Sequence, residues 1–265
     1  MEGALKRLGA ANIADFPALE ARVQAERASL LGQGLNVVGI VKLVGEVPPP
    51  FRVEVSPACT GAPPQVHEVV VDGGETTERK VWRDVRGFVD VERVRSIAGG
   101  VAEALVYLEG AALGTGPFPP PDTAIDLRSR SCRFVPALAA ARTGQLLRVV
   151  NDTPDLFTFD LYASTEKHRV VLPGKIFEWR PSLVGERAQL KNNTEPALPP
   201  TWLAVFDHPF FAVTTLEGLF ALGPVPPGDH PIILFHPILG EQRTTISVQP
   251  NQVTPVLFLA GPAPR

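Results

Sequence analysis

The spacing of its turns limits this chain more than any other sequence feature. From Val101 onward, short runs of β-branched, aromatic and aliphatic residues recur: Ala104–Leu108, Cys132–Val135, Leu146–Val150, Phe157–Tyr162 and Arg169–Leu172. A second series follows at Trp202–Phe206, Phe210–Thr214, Leu219–Leu222, Pro231–Phe235, Arg243–Val248 and Val253–Leu259. Gly, Pro, Asn and Asp separate them, as at Glu217–Gly218 and Pro226–Pro227–Gly228–Asp229. Glycine there takes positive φ and proline presets the turn. With 28 prolines and 23 glycines in 265 residues the chain stays below low-complexity composition, and a hydrophobic content of 45% builds a core. The pattern predicts an all-β protein of two sandwich units in series. Upstream, Asn36–Val44 is an apolar strand closed by Pro48–Pro49–Pro50, Phe51–Val55 alternates with period 2, and Val69–Val71 precedes the Asp72–Gly73–Gly74 turn.

One helix is expected, over residues 15–32. Asp15 suits the N-cap, Pro17 the first turn and Gly32 the C-cap, and Leu19, Val23, Leu30 and Leu31 form a narrow apolar stripe. Such an arm docks on an edge or a partner. Residues 75–100 mix both charge signs and read as a solvated excursion, and 191–201 (KNNTEPALPPT) as a loop or interdomain joint. A formal charge of −3 gives no basic excess for nucleic-acid binding. No apolar run reaches the length of about 18 residues that spans a membrane. Residues 1–16 hold no apolar core of the kind a secretory signal needs.

Two stretches carry a resemblance. Ala104–Gly110 (ALVYLEG), Cys132–Pro136 (CRFVP), Gly144 and Val149–Pro154 (VVNDTP) resemble cupredoxin-like proteins of the plastocyanin or methylamine-utilisation type. Residues 205–240, containing FDHPFFAVTTLEGLFALGPVPPGDHPIILFHPILG, resemble the transthyretin-like, carboxypeptidase-regulatory-type module that follows in such proteins. Gly39–Pro50 and Cys59 match features preceding the cupredoxin unit. The implied organisation is an N-terminal helical arm over 1–34, a cupredoxin-like Greek-key sandwich over 35–195 with the charged insertion 75–100, and a small transthyretin-like sandwich over 196–265. The resemblance also implies an exported, periplasmic or extracellular protein with a Cys59–Cys132 disulfide. A cytoplasmic location is the alternative.

The departures from that family bear on chemistry. Cupredoxin copper is held by two His, a Cys thiolate and a weak axial ligand. The family's Pro–His position is Pro136–Ala137 here, its H-N-x-H positions carry Phe157 and Asp160, and the 187–202 stretch offers no Cys, His or Met. A metal-free fold is expected, with Phe157 and Phe159 filling the space of the ligands and no cofactor. His208 and His236, with Asp207, and also His168, are the candidate metal ligands. Both His208 and His236 precede proline, and a local bond to backbone at a turn corner is the preferred reading. Asn151–Asp152–Thr153 and Asn192–Asn193–Thr194 are glycosylation sequons, and Asn151–Asp155 also reads as an Asx-rich turn. Gly174–Lys175 after Pro173 reads as a β-turn. No catalytic motif occurs.

The expectation is a non-enzymatic structural or interaction subunit of a cell-envelope assembly, its partners other envelope proteins. Leu19, Val23, Leu30, Trp202, Phe210 and Phe211 are the candidate partner contacts. Two alternatives are a copper carrier with rearranged ligands and a carbohydrate- or peptide-binding module using Trp82, Trp179 and Trp202.

Overall fold

The computed structural model describes residues 15–60, 66–72, 75–80, 87–109, 118–153, 157–162, 166–182 and 187–261. Helix α1 (Phe16–Gly32) begins where Asp15 accepts the Ala18 N–H at 2.9 Å, with proline in the first turn. It ends at Gly32 as expected, but the capping glycine lies two residues further on. Gly34, not Gly32, takes positive φ (73°), and the Gly34 and Leu35 N–H groups bond back to Leu31 and Leu30. That is a Schellman closure, with Leu35 and Leu30 sharing one apolar cluster.

Strand β1 (Val37–Leu43) organises one half of the molecule. Its residues Val37–Val41 are all buried, because both faces of the strand are covered. On one edge β1 runs parallel to β22 (Thr254–Ala260), and on the other it meets β19 (Leu219–Leu222) and then β7 (Gly100–Val101), which pairs with β6 (Ser96–Ile97). One face of this sheet receives Leu19, Val23 and Leu30 of α1. The other packs on a second sheet of β18 (Phe211–Val213), β8 (Leu105–Leu108), β20 (Gly228–His236) and β21 (Gly240–Val248). Gly39 lies where any Cβ would strike the Phe220 ring and the Val256 carbonyl, so the tight pairing needs glycine there.

A second, central sandwich holds the chain between these pieces. One sheet is β10 (Arg133–Val135), β9 (Ile125–Arg130), β12 (Leu147–Asn151) and β15 (Ile176–Trp179). The facing sheet is β11 (Leu138–Arg142), β17 (Thr201–Phe206), β16 (Arg187–Asn192), β13 (Phe157–Tyr162) and β14 (Glu166–Val171). β9–β12 and β11–β17 are parallel pairs and the others are antiparallel. Two smaller ribbons pair β2 (Phe51–Val55) with β5 (Gly87–Val91), and β3 (Val66–Asp72) with β4 (Glu75–Lys80).

Strand pairing crosses the expected boundary between 35–195 and 196–265. β1 and β8 pair with strands of the last third of the chain, and β17 pairs with β16 and β11 of the central sandwich. The flanking sandwich is therefore assembled from both sides of the central one, and of the expected joint 191–201 only 193–200 is a loop, joining β16 to β17 inside the central body. The expected excursion 75–100 is also partly built in: Val91 and Val94 are buried. Residues 187–192, expected within a ligand loop, form strand β16.

Alternation along two strands joins the halves. On β17, Leu203 and Val205 enter the central core, while Trp202, Ala204 and Phe206 face the flanking sandwich with Leu138, Leu105, Phe211 and Phe235. Phe206 stacks on Phe211 at 4.7 Å, and Trp202 meets Phe235 edge-on at 5.5 Å.

Candidate functional site

Of the positions where the resemblance implies copper ligands, one carries Phe157, which belongs to a cluster of aromatic rings inside the central sandwich. Phe157 and Phe159 point inward from β13 and are buried, with Phe134 edge-on to both at 5.1 and 5.6 Å. Phe177 closes the group against Phe159 at 6.0 Å. None of these rings offers a lone pair to a metal. Asp160, one residue on, faces out. Its carboxylate bonds the Nδ1 of cross-strand His168 at 2.8 Å. Hydrogen bonds from Asn193, then His168, hold the Asp160 carboxyl below the usual range.

The sulfur donors are committed elsewhere. Cys59 and Cys132 are bonded to each other, with a Cα–Cα distance of 5.1 Å, and no free cysteine remains. The bridge sits in an apolar cluster with Val53, Val55, Val91 and Leu198, and so ties the β2–β5 ribbon to the central sandwich. The residues present do not fit a cupredoxin copper centre, which requires a thiolate.

The candidate histidines form separate local structures. His208 Nδ1 accepts the Phe210 N–H at 3.2 Å, and the His208 ring lies against Phe206 and Phe210. His236 Nδ1 accepts the Ile238 and Leu239 N–H groups at 3.1 and 3.2 Å. These bonds use the lone pair that a metal would take and leave the ring proton on Nε2. Burial lowers the His208 pKa and pulls that of His236 down to about 4. Among the described residues no three His, Cys, Asp or Glu side chains are grouped to hold a metal, so Asp207 does not join them as a third ligand. His168 is exposed and meets Asp160 on the neighbouring strand and Asn193 in the loop after β16.

The six partner-contact candidates have internal partners. Leu19, Val23 and Leu30 are fully buried under α1, because the β1–β19 sheet supplies the apolar face that covers them. Phe210 is buried in the flanking core, and Trp202 and Phe211 form part of the seam between sandwiches. Trp179 packs against the central core, and Trp82 lies outside the described residues.

Both sequon asparagines are buried and serve as Asx turns. Asn151 Oδ1 accepts the Thr153 N–H at 3.0 Å while its amide donates to Val171, and Asn192 does the same with Thr194 and Cys132. Asp155 lies outside the described residues. At Pro173–Lys175 the expected turn forms, with Gly174 at φ 66°.

One concave site emerges that motif reading does not find. Where the seam meets the β2–β5 ribbon, a cleft of about 550 Å³ opens between Phe51 and Val91 on one wall and Trp202, Phe134 and Leu138 on another. His236, Pro237 and Ile238 close it from the flanking sandwich, and Pro199 and Pro200 from the β16–β17 loop. Three arginines, Arg93, Arg95 and Arg133, and two glutamates, Glu92 and Glu103, line it. Both glutamates engage Arg95, each at 3.7 Å, and Glu103 also accepts the Ala137 N–H at 3.2 Å. Arg93 stands over the Phe51 ring at 5.3 Å. Only the fold brings the Val91–Arg95 segment beside Arg133 and Trp202, which is why the charged stretch reads as solvated.

No protein-family profile matches this chain, and no curated protein matches it. Solved structures that align with it include the reduced state of an amicyanin mutant, at 11% identity and TM-score 0.29, covering 33% of this chain and 91% of that one. A purple cupredoxin from Nitrosopumilus maritimus aligns at 10% identity and TM-score 0.27, over 31% of this chain and 98% of its own. A copper-containing nitrite reductase from Thermus scotoductus aligns at 11% identity and TM-score 0.28, over 38% of this chain and 25% of its own.

Proposed function

We propose that this protein is a non-enzymatic binding or scaffold subunit of the cell envelope, built on a cupredoxin-like sandwich that has exchanged its copper site for a packed core. The observation that carries the proposal is that Phe157, at one of the ligand positions the resemblance implies, is packed into a cluster with Phe134, Phe159 and Phe177, while Ala137 and Asp160 stand at the others. The Cys59–Cys132 bridge supports an oxidising compartment, since such bonds persist outside the reducing cytosol. A transthyretin-like flanking sandwich completes the scaffold, joined to the central body through Leu105, Leu138, Ala204 and Phe206.

Electrochemistry together with chemical cross-linking of intact envelopes tests this reading. The expected result is a redox-silent purified protein that cross-links to a defined envelope partner. A reversible one-electron wave after copper loading contradicts it and favours the copper-carrier alternative.

A further inference from the structure

We infer that the cleft between Phe51, Trp202 and His236 is a binding site for a small carboxylate with an aromatic or branched apolar body. This goes beyond the metal-free reading and does not depend on it. The volume, about 550 Å³, lies within the roughly 300–1,000 Å³ range of small-molecule sites, which favour junctions between domains. Its walls are mixed in the manner such a ligand requires. Phe51, Phe134, Trp202, Val135 and Ile238 supply apolar surface, and the last two are exposed at 46% and 47%, so they stand at the mouth.

Charge selects an anion. Arg95 is neutralised by Glu92 and Glu103, whereas Arg93 and Arg133 have no carboxylate partner among the described residues. A guanidinium presents paired N–H donors that match a carboxylate's two oxygens. Arg93 is held by its ring contact with Phe51, so less side-chain freedom is lost on binding. His236, with Nδ1 engaged by backbone, keeps its Nε2–H as a neutral donor on the same wall. The Trp202 ring is fixed by Phe235 and offers a preformed apolar wall.

The test is a titration of the full-length oxidised protein with phenylacetate and with its uncharged isostere phenylacetamide. Binding is followed by NMR through the Trp202 indole N–H and the Arg133 Nε–H resonances. Phenylacetate is expected to saturate both signals, with the amide weaker by roughly tenfold or more, the range for a hydrogen bond to a charged group. Arg133→Gln should erase most of the acid–amide difference, and Arg130→Gln, on the neighbouring strand outside the cleft, should leave it intact. Equal affinity for acid and amide, no saturation, or shifts that spare Trp202 would overturn the assignment, whichever variants fold. A peptide ending in a phenylalanine carboxylate that binds tenfold tighter than phenylacetate would transfer the site to a protein chain terminus and overturn the small-molecule reading.

Discussion

His236 shows how one side chain is committed to structure. Its ring is buried, its Nδ1 caps two backbone N–H groups, and burial holds its pKa at about 4 against an ordinary 6.5. Because the folded-state value is depressed, the unfolded chain binds the proton more readily between these limits. Stability is full above pH 6.5 and falls as pH drops toward 4, by up to about 3 kcal/mol from this residue, and His208 acts in the same direction. Denaturant unfolding across this range should show that slope, and His236→Asn, which keeps an acceptor for the same N–H groups, should flatten most of it. An unchanged slope would mean the ring is not buried as described. The bond to backbone was legible from the His–Pro pairs. The arginines of the cleft were not, because a charge run has the same sequence signature in solvent or along a binding wall.

At the scale of the element, legibility followed side-chain type. β13 and β19 carry alternating or continuous apolar residues, and their bounds, Phe157–Tyr162 and Leu219–Leu222, are those the pattern predicts. β11 (LAAAR) and β16 (RAQLKN) carry alanine and charge, with little intrinsic strand preference, and they form because β17 supplies a hydrogen-bonding edge to each. The β2–β5 ribbon depends on a different device. It is a two-stranded element, marginal by itself, pinned through Cys59 to Cys132 across 73 residues. Reduction should cost about 4 kcal/mol in the chain-entropy account. Hydrogen exchange before and after reduction should show β2 and β5 losing protection first, along with the Phe51–Arg93 wall of the cleft. Uniform loss across both sandwiches would show instead that the bridge supports the whole fold equally.

The whole molecule is a stack: helix α1, the β1 sheet, the β8–β20 sheet, then the two sheets of the central sandwich. Its interleaving was invisible in local pattern, because Val37 and Thr254 become neighbours only through tertiary pairing. A fragment of residues 196–265 retains β18 to β22 yet lacks β1, which pairs with both β19 and β22, and β8, which pairs with both β18 and β20. It should show no cooperative thermal transition by circular dichroism, whereas the full chain should show one. A cooperative transition in the fragment would restore the linear division of the chain.

The central claim is that rings without lone pairs occupy the place of a copper centre while both cysteines are joined to each other. Titration of the oxidised protein with Cu(I) and Cu(II), followed by elemental analysis after chelation and by visible absorption, addresses it directly. The account predicts no chelator-resistant copper and no thiolate-to-copper charge-transfer band. One tightly held copper per chain with such a band would contradict it.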